Sequence, residues 1–360
     1  MSLTVLNVAF PFAPVREDPV GGAEQVVAQL DRALVAAGHR SIVVACAGSR
    51  VAGRLVALPA PPAEIDEAAR AAAHRRVRAA IAHVLREEHV DLMHFHGIDH
   101  AAYLPPDGPP ALVSLHLPLD WYPPQALRPA RPRTWLLPVS EHQARQAPPG
   151  VELLPPVGNG VRLPPPSAVR RRGFALALGR LCPEKGFEDA LDAARLAGVP
   201  LLLAGEVFPW AAHKAHFHAA IVPRLDALRR WIGPVGGARK RRLLAAARCL
   251  LVPSRVAETS SLVAMEALAA GTPVIAYPAG ALADVVEHGV TGYLVDGVEA
   301  MAAAIGAAGA IDPATCRRRA QERFDLERSA ARHLALYREL AAADRGAGAA
   351  APRHAPGAVS

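Results

Sequence analysis

Glu258 and Glu266 stand eight residues apart in the run LLVPSRVAETSSLVAMEALAAGTPVIAYP, residues 250–278. On one regular helix that spacing is about 12 Å along the axis and about 80° around it. A glycosidase acid and nucleophile need roughly 5–10 Å across one bond, so this pair does not fit that chemistry. It suits two groups gripping separate parts of one long ligand. Between them a helix begins, and a helix N-terminus offers free N–H groups and a positive dipole end. A ligand with hydroxyls at both ends and phosphate in the middle matches; a nucleoside-diphosphate sugar is one.

Arg180 and Lys185 lie in GRLCPEKG, residues 179–186. Arginine chelates phosphate oxygens at two points and lysine adds a point charge. Two solvated loop cations are the ordinary alternative, but here they precede a helix in the same half as both glutamates. His116 closes the apolar run VSLH and is suited to hydrogen bonding or proton transfer. His94 and His96 alternate in HFHG, so they share one face of a strand. Gly21-Gly22 and Gly205 each follow an apolar run, where backbone N–H groups can approach an anion, or where the chain simply turns. His213, His216 and His218 have no cysteine or carboxylate beside them in sequence, so no metal is expected.

The elements that must position these residues alternate. Leu3–Phe10 reads as a strand, Ala23–Ala37 as an amphipathic helix, Ser41–Cys46 as a second strand, a Rossmann-type opening. Short apolar runs at Arg54–Leu58, Leu92–Phe95, Ala111–His116, Trp135–Val139 and Glu152–Val157 continue the first half, with a long helix over Glu64–Glu88. LPPPS at 163–167 reads as an interdomain linker. A second alternation follows: strands at Phe174–Leu178, Pro200–Ala204, Trp231–Val235, Cys249–Val252, Val274–Tyr277 and Tyr293–Val295. Helices are expected at Gly186–Ala197, Ala238–Ala247, Leu262–Ala270 and Val298–Ala308. Thr259, Ser260 and Ser261 are N-cap residue types before the third of these. The expected fold class is α/β, two Rossmann-like domains facing each other across a cleft. The domains are 1–165 and 166–325, then a helix 326–342 placed to pack back on the first domain, and a disordered tail 343–360.

Composition narrows the classes. The chain has 360 residues, enough for two cores. Four well-separated cysteines, Cys46, Cys182, Cys249 and Cys316, fit reduced thiols in a cytoplasm rather than a disulfide framework. The first residues read as a strand rather than a signal peptide, and no apolar run is long enough to span a bilayer. Residues 1–166 are charge-balanced, so the whole net +7 lies in the second half. That suits a polyanionic ligand there. An arginine-rich composition produces the same excess, and aromatics at 5% are too few for stacking on nucleic-acid bases.

Taken together, these motifs resemble the family 4, group 1 glycosyltransferases, retaining enzymes of the two-Rossmann-domain GT-B architecture. The resemblance covers nearly the whole chain to about Ala342. Glu258–Glu266 matches the family's E-x7-E element and GRLCPEKG its Arg-x4-Lys element. GGAEQVVAQLDRALVAAGH matches the N-terminal glycine loop and helix, and VGNGV the segment before the linker. The resemblance implies that Arg180 and Lys185 bind the donor diphosphate and that Glu266 holds ribose hydroxyls. It puts Glu258 near the donor sugar, backbone amides of Ser261, Leu262 and Val263 on sugar or phosphate, His116 by donor and acceptor, and Gly22 near the diphosphate. It further implies a nucleoside-diphosphate (foremost a UDP) sugar as co-substrate, no metal or other cofactor, and front-face transfer with retention. Ser260-Ser261 stands where the family usually has Phe-Gly, and Leu117 where an Asp usually follows the histidine. The acceptor stays open among polysaccharide, lipid-linked sugar and small molecule. Peripheral contact with the inner membrane face is compatible with the arginine-rich helices. A nucleotide-sugar epimerase and a catalytically degenerate sugar-nucleotide binder are the rival readings.

Overall fold

The computed structural model describes residues 2–17, 19, 21–165 and 171–348. The first half runs β1 (Thr4–Val8), α1 (Gly22–Ala36), β2 (Arg40–Cys46), β3 (Arg54–Leu58), α2 (Glu67–Glu87), β4 (Leu92–Phe95), β5 (Ala111–Leu115), β6 (Thr134–Pro138) and α3 (Glu141–Arg145). The second runs β7 (Ala175–Leu178), α4 (Phe187–Leu196), β8 (Leu201–Ala204), α5 (Ala211–His216), β9 (Arg229–Trp231), α6 (Gly237–Ala246) and β10 (Cys249–Val252). It continues with α7 (Leu262–Ala269), β11 (Val274–Ala276), α8 (Leu282–Val285), β12 (Gly292–Leu294) and α9 (Gly297–Ala307), and α10 (Pro313–Phe324) and α11 (Leu326–Gly348) close the chain.

Each half holds one six-stranded sheet, in order β3-β2-β1-β4-β5-β6 and β12-β11-β10-β7-β8-β9. Every strand pair is parallel. Counted from its own first strand, the second sheet repeats the order of the first. Helices cover both faces of the central strands, so β1, β4, β5 and β10 are buried along their whole length and mostly apolar, with Thr4, Asn7, His94 and Ser114 the buried polar residues among them. The order reverses between β1 and β4 and again between β7 and β10, and at such points the helices diverge and leave a crevice at the carboxyl ends of the strands.

Two crossings join the halves. One runs through the linker. The other is α11, whose Tyr337, Leu340 and Ala341 pack with Leu3, Val5, Leu34, Leu92, Leu112 and Leu137 of the first half. At the crossover Val161 N–H donates to the Phe324 carbonyl at 2.8 Å. No helix among the described residues is long and apolar enough to cross a membrane.

Several elements depart from expectation. Glu152–Val157 is not a strand. Leu154 and Val157 donate to the β6 carbonyls of Leu136 and Pro138, but Pro155 and Pro156 have no N–H to extend the ladder. The strand expected at Trp231–Val235 is Arg229–Trp231. Helices α3, α5 and α8 are too short to show a period in sequence. The last helix runs through Gly348, into the stretch expected to be disordered. The rest of that tail, and residues 166–167 of the linker, lie outside the described residues.

Candidate active site

The carboxyl ends of β1, β4 and β5 face those of β7, β8 and β10 across one cavity of about 360 Å³, within the range of small-molecule sites. Gly22, His116, Arg180, Lys185, Gly205, Glu258, Ser261, Leu262, Val263 and Glu266 all line it.

The loop after β7 and the loop after β10 are stitched together. Arg255 N–H donates to the Glu184 carbonyl at 2.9 Å. Gly186 has φ +60°, and a Cβ there would stand 2.3 Å from the Pro253 carbonyl oxygen. This closeness sets Lys185 beside Glu258: Nζ is 2.5 Å from Oε1, and the buried Ser254 hydroxyl donates to the same oxygen at 2.6 Å. Burial pushes the Glu258 carboxyl up, but the Lys185 charge and these two hydrogen bonds outweigh it, and the group is held below its ordinary value. Glu258 is therefore an anchored anion, with its Oε1 already engaged. Arg180 forms no ion pair among the described residues; its guanidinium lies 5.5 Å from the Phe208 ring centre, and its Nε has no hydrogen-bond partner. It is the cation with unspent donors.

Glu266 projects from α7 to a clasp. Lys240 of α6 donates to Oε1 at 2.9 Å, and Gln25 of α1, in the opposite half, donates to the same oxygen at 2.8 Å. The loop before α7 docks on the first half as well. Thr259 hydroxyl donates to the His116 carbonyl at 2.9 Å, and Asn159 Nδ2 to the Ser260 hydroxyl at 3.0 Å. A Cβ on Gly22 would meet Leu262 Cδ1 at 3.4 Å. Ser261 is the N-cap of α7 by position only. Its backbone is left-handed (φ 56°, ψ 66°), its side chain caps nothing, and its buried hydroxyl has no partner. The first-turn amides are thus uncapped by side chains and open to an anion.

Gly205 has a steric reason to be glycine. At φ +152° its Cβ would lie 1.8 Å from the Gly179 carbonyl oxygen. Gly205→Ala should therefore destabilise the fold by about 2 kcal/mol or more, seen as a lower urea midpoint. A midpoint equal to wild type would show that the two strand ends can spread freely.

His116 belongs to a buried histidine row. Its Nε2 is 3.0 Å from His96 Nδ1 with the rings stacked, and His94 lies 3.9 Å from His96 between ring centres. His94 also bonds Tyr337 OH at 2.7 Å and Ser114 hydroxyl at 2.8 Å. Burial, then the neighbouring His333, pushes His116 down to about 3, so it faces the cavity as a neutral imidazole. The side chains that sequence reasoning missed are Ser254, Gln25, Lys240, Asn159 and Glu24. Glu24 and Gln25, in the glycine-loop motif, and Asn159, in VGNGV, carried a local signal; Ser254 and Lys240 did not.

The histidine segment after β8 also differs from expectation. Cys182 and Glu184, distant in sequence, bring ligand atoms within 4.8 Å of one another and of His213. Burial pushes the Cys182 thiol up to about 11, and burial, then the Arg180 charge, holds His213 below its ordinary value. A cation there would have to displace the thiol proton of Cys182 close to the Arg180 guanidinium.

A model for glycosyl transferases group 1 matches residues 173–308, and one for glycosyltransferase family 4 matches residues 20–147. No curated protein sequence matches the chain. Among solved structures, AviGT4, a glycosyltransferase involved in avilamycin A biosynthesis, is 24% identical, with 94% of this chain and 98% of that one covered and a TM-score of 0.69. Sucrose-phosphate synthase from Thermosynechococcus elongatus is 22% identical, covering 94% and 100%, TM-score 0.76. Anabaena HepE, in complex with UDP and glucose, is 19% identical, covering 94% and 100%, TM-score 0.70. At these identities the likeness establishes the fold.

Proposed function

Because this chain belongs to the group 1, family 4 glycosyltransferases, we propose that it transfers a hexosyl group from a UDP-sugar to an acceptor hydroxyl with retention at the anomeric carbon. One observation carries this: Arg180, Lys185, Glu258, Glu266 and the uncapped start of α7 converge on one cavity at the switch points of two sheets. The diphosphate would lie on Arg180, Lys185 and the first amides of α7, which stabilise charge as it develops on the leaving group. Glu266 would take the ribose hydroxyls by exchanging its Gln25 and Lys240 contacts. Glu258, held by Lys185 and Ser254, would accept a hydrogen bond from the donor sugar. It is too encumbered for a nucleophile, which favours front-face attack by the acceptor over a covalent intermediate. Neutral His116 would orient the sugar or the incoming hydroxyl. All four cysteines are buried, unpaired thiols, which supports a reducing, cytoplasmic setting. HepE, structurally similar, is seen with UDP-glucose, which supports uridine as the base.

The test is donor-induced stabilisation. A ligand that binds only the folded state raises the unfolding temperature, so UDP and its sugar should do so for the wild type and not for Glu266→Ala. An equal shift in the variant would remove Glu266 from the donor site.

A further inference from the structure

We propose that the acceptor is a neutral, flat, ring-bearing alcohol or phenol, bound between aromatic side chains of the two halves; this rests on the donor reading above. The walls of the cavity differ in kind. The charges, Arg180, Lys185, Lys240, Glu258 and Glu266 among them, belong to the second half. On the first-half wall Glu24 is the only formally charged lining residue among the described residues, and it is buried. What that wall offers instead is apolar: Phe10 and Phe12, edge to face at 5.5 Å, with Trp121, which is 37% exposed. From across the cleft, the segment after β8 adds Phe208 and Trp210. The chain has only 8 Phe and 4 Trp, and five of the twelve stand part-exposed in this one cavity.

Part-exposed aromatic faces on opposing walls bind flat ring systems by stacking and apolar burial. A hexose or oligosaccharide acceptor presents hydroxyls around its whole rim, and their removal from water needs polar partners that Phe10, Phe12 and Trp121 do not supply. A phosphorylated or carboxylated acceptor would meet no cation on it. Phe208 is braced beneath the Arg180 guanidinium, so a ring on that side lies next to the diphosphate. The polar lining of the first-half wall is Glu24, Gln25, His96, His116 and Asn159, and the reacting hydroxyl would point to the two histidines. In the transfer, the acceptor oxygen forms the bond to the anomeric carbon, the bond from that carbon to the diphosphate oxygen breaks, and the hydroxyl proton passes to the departing diphosphate.

The experiment measures binding of 2-naphthol, glucose and glycerol 3-phosphate to the full chain by calorimetry, with and without UDP, for wild type, Trp121→Ala and Trp210→Ala. Naphthol should bind at least about tenfold more tightly than glucose or glycerol phosphate, and each variant should lose about tenfold for naphthol while keeping its UDP affinity. Glucose or glycerol phosphate binding as tightly as naphthol overturns the inference, and so do two variants with unchanged naphthol affinity. If UDP itself does not bind, the donor reading falls, while naphthol titrated alone still reports on the apolar wall.

Discussion

Arg180→Ala should lower kcat for glycosyl transfer by about 10²–10³ while leaving folding stability nearly unchanged. The two halves of that statement have separate causes. Arg180 forms no ion pair among the described residues, its Nε has no partner, and its main contact is the Phe208 ring. Removing it therefore breaks no ion pair, although Glu24, Glu184 and Glu258 lose the influence of a nearby cation, and a cation over a part-exposed ring contributes about 1 kcal/mol or less. The leaving diphosphate, by contrast, gains charge as its bond to the sugar breaks. A preorganised donor aimed at developing charge contributes about 3–4 kcal/mol to the transition state. Arg180→Lys should recover only part of the loss, because an ammonium cannot make the two-point contact. Lys185→Ala is a less clean test, since it leaves the buried Glu258 without its cation. Steady-state release of UDP checks the expectation, with urea unfolding as the stability readout. A kcat within about threefold of wild type would mean that the diphosphate is held elsewhere.

The chain should also lose stability steeply in mild acid. His94, His96 and His333 are 0%, 2% and 2% exposed. Burial in each case, reinforced for His94 and His96 by neighbouring imidazoles, holds them below the ordinary 6.5, with His333 down to about 4. The sign follows from proton counting. Between pH 6.5 and the folded values the unfolded chain binds more protons than the native one, so stability is full above 6.5 and drains as pH falls. Each imidazole gives up roughly 1.4 kcal/mol in all between pH 7.5 and 5.5, so the three together give up roughly 4 kcal/mol, and His116, held down in the same row, adds a fourth such share. That is a large share of a typical 5–15 kcal/mol. Glu24, pushed up by burial, acts in the opposite sense and offsets part of it. Urea midpoints at pH 7.5, 6.5 and 5.5 measure the slope, and His333→Gln should flatten it by about a quarter, one imidazole of the four in the row. A free energy of unfolding that is level from 7.5 to 5.5 would show that the row is protonated in the native state.

The alternation of strands and helices, the two α/β halves and the ten candidate residues were legible in the sequence. Parallel strands buried on both faces must be continuous apolar runs, and loops at strand ends carry the polar chemistry, so both are written locally. Ser261 shows the limit of local inference. A serine before a helix is an N-cap type, yet its left-handed backbone turns the hydroxyl away from the first-turn amides. The clasp of Gln25 and Lys240 on Glu266, the Ser254 bond to Glu258 and the meeting of Cys182 with His213 join residues up to 241 apart in sequence. Nothing in their own neighbourhoods specifies those partners. The histidine row was half written: the alternation at His94 and His96 placed two rings on one face, but His116 and His333 arrive from another strand and from the returning last helix. Sequence by itself determined which residue types stand at the ends of which strands. Tertiary structure decided which charges are spent on one another, which remain for a ligand, and that one wall of the cleft is aromatic. The physical reason is that pairing and desolvation depend on distance in space, and only the packing of two sheets and one crossing helix sets that distance.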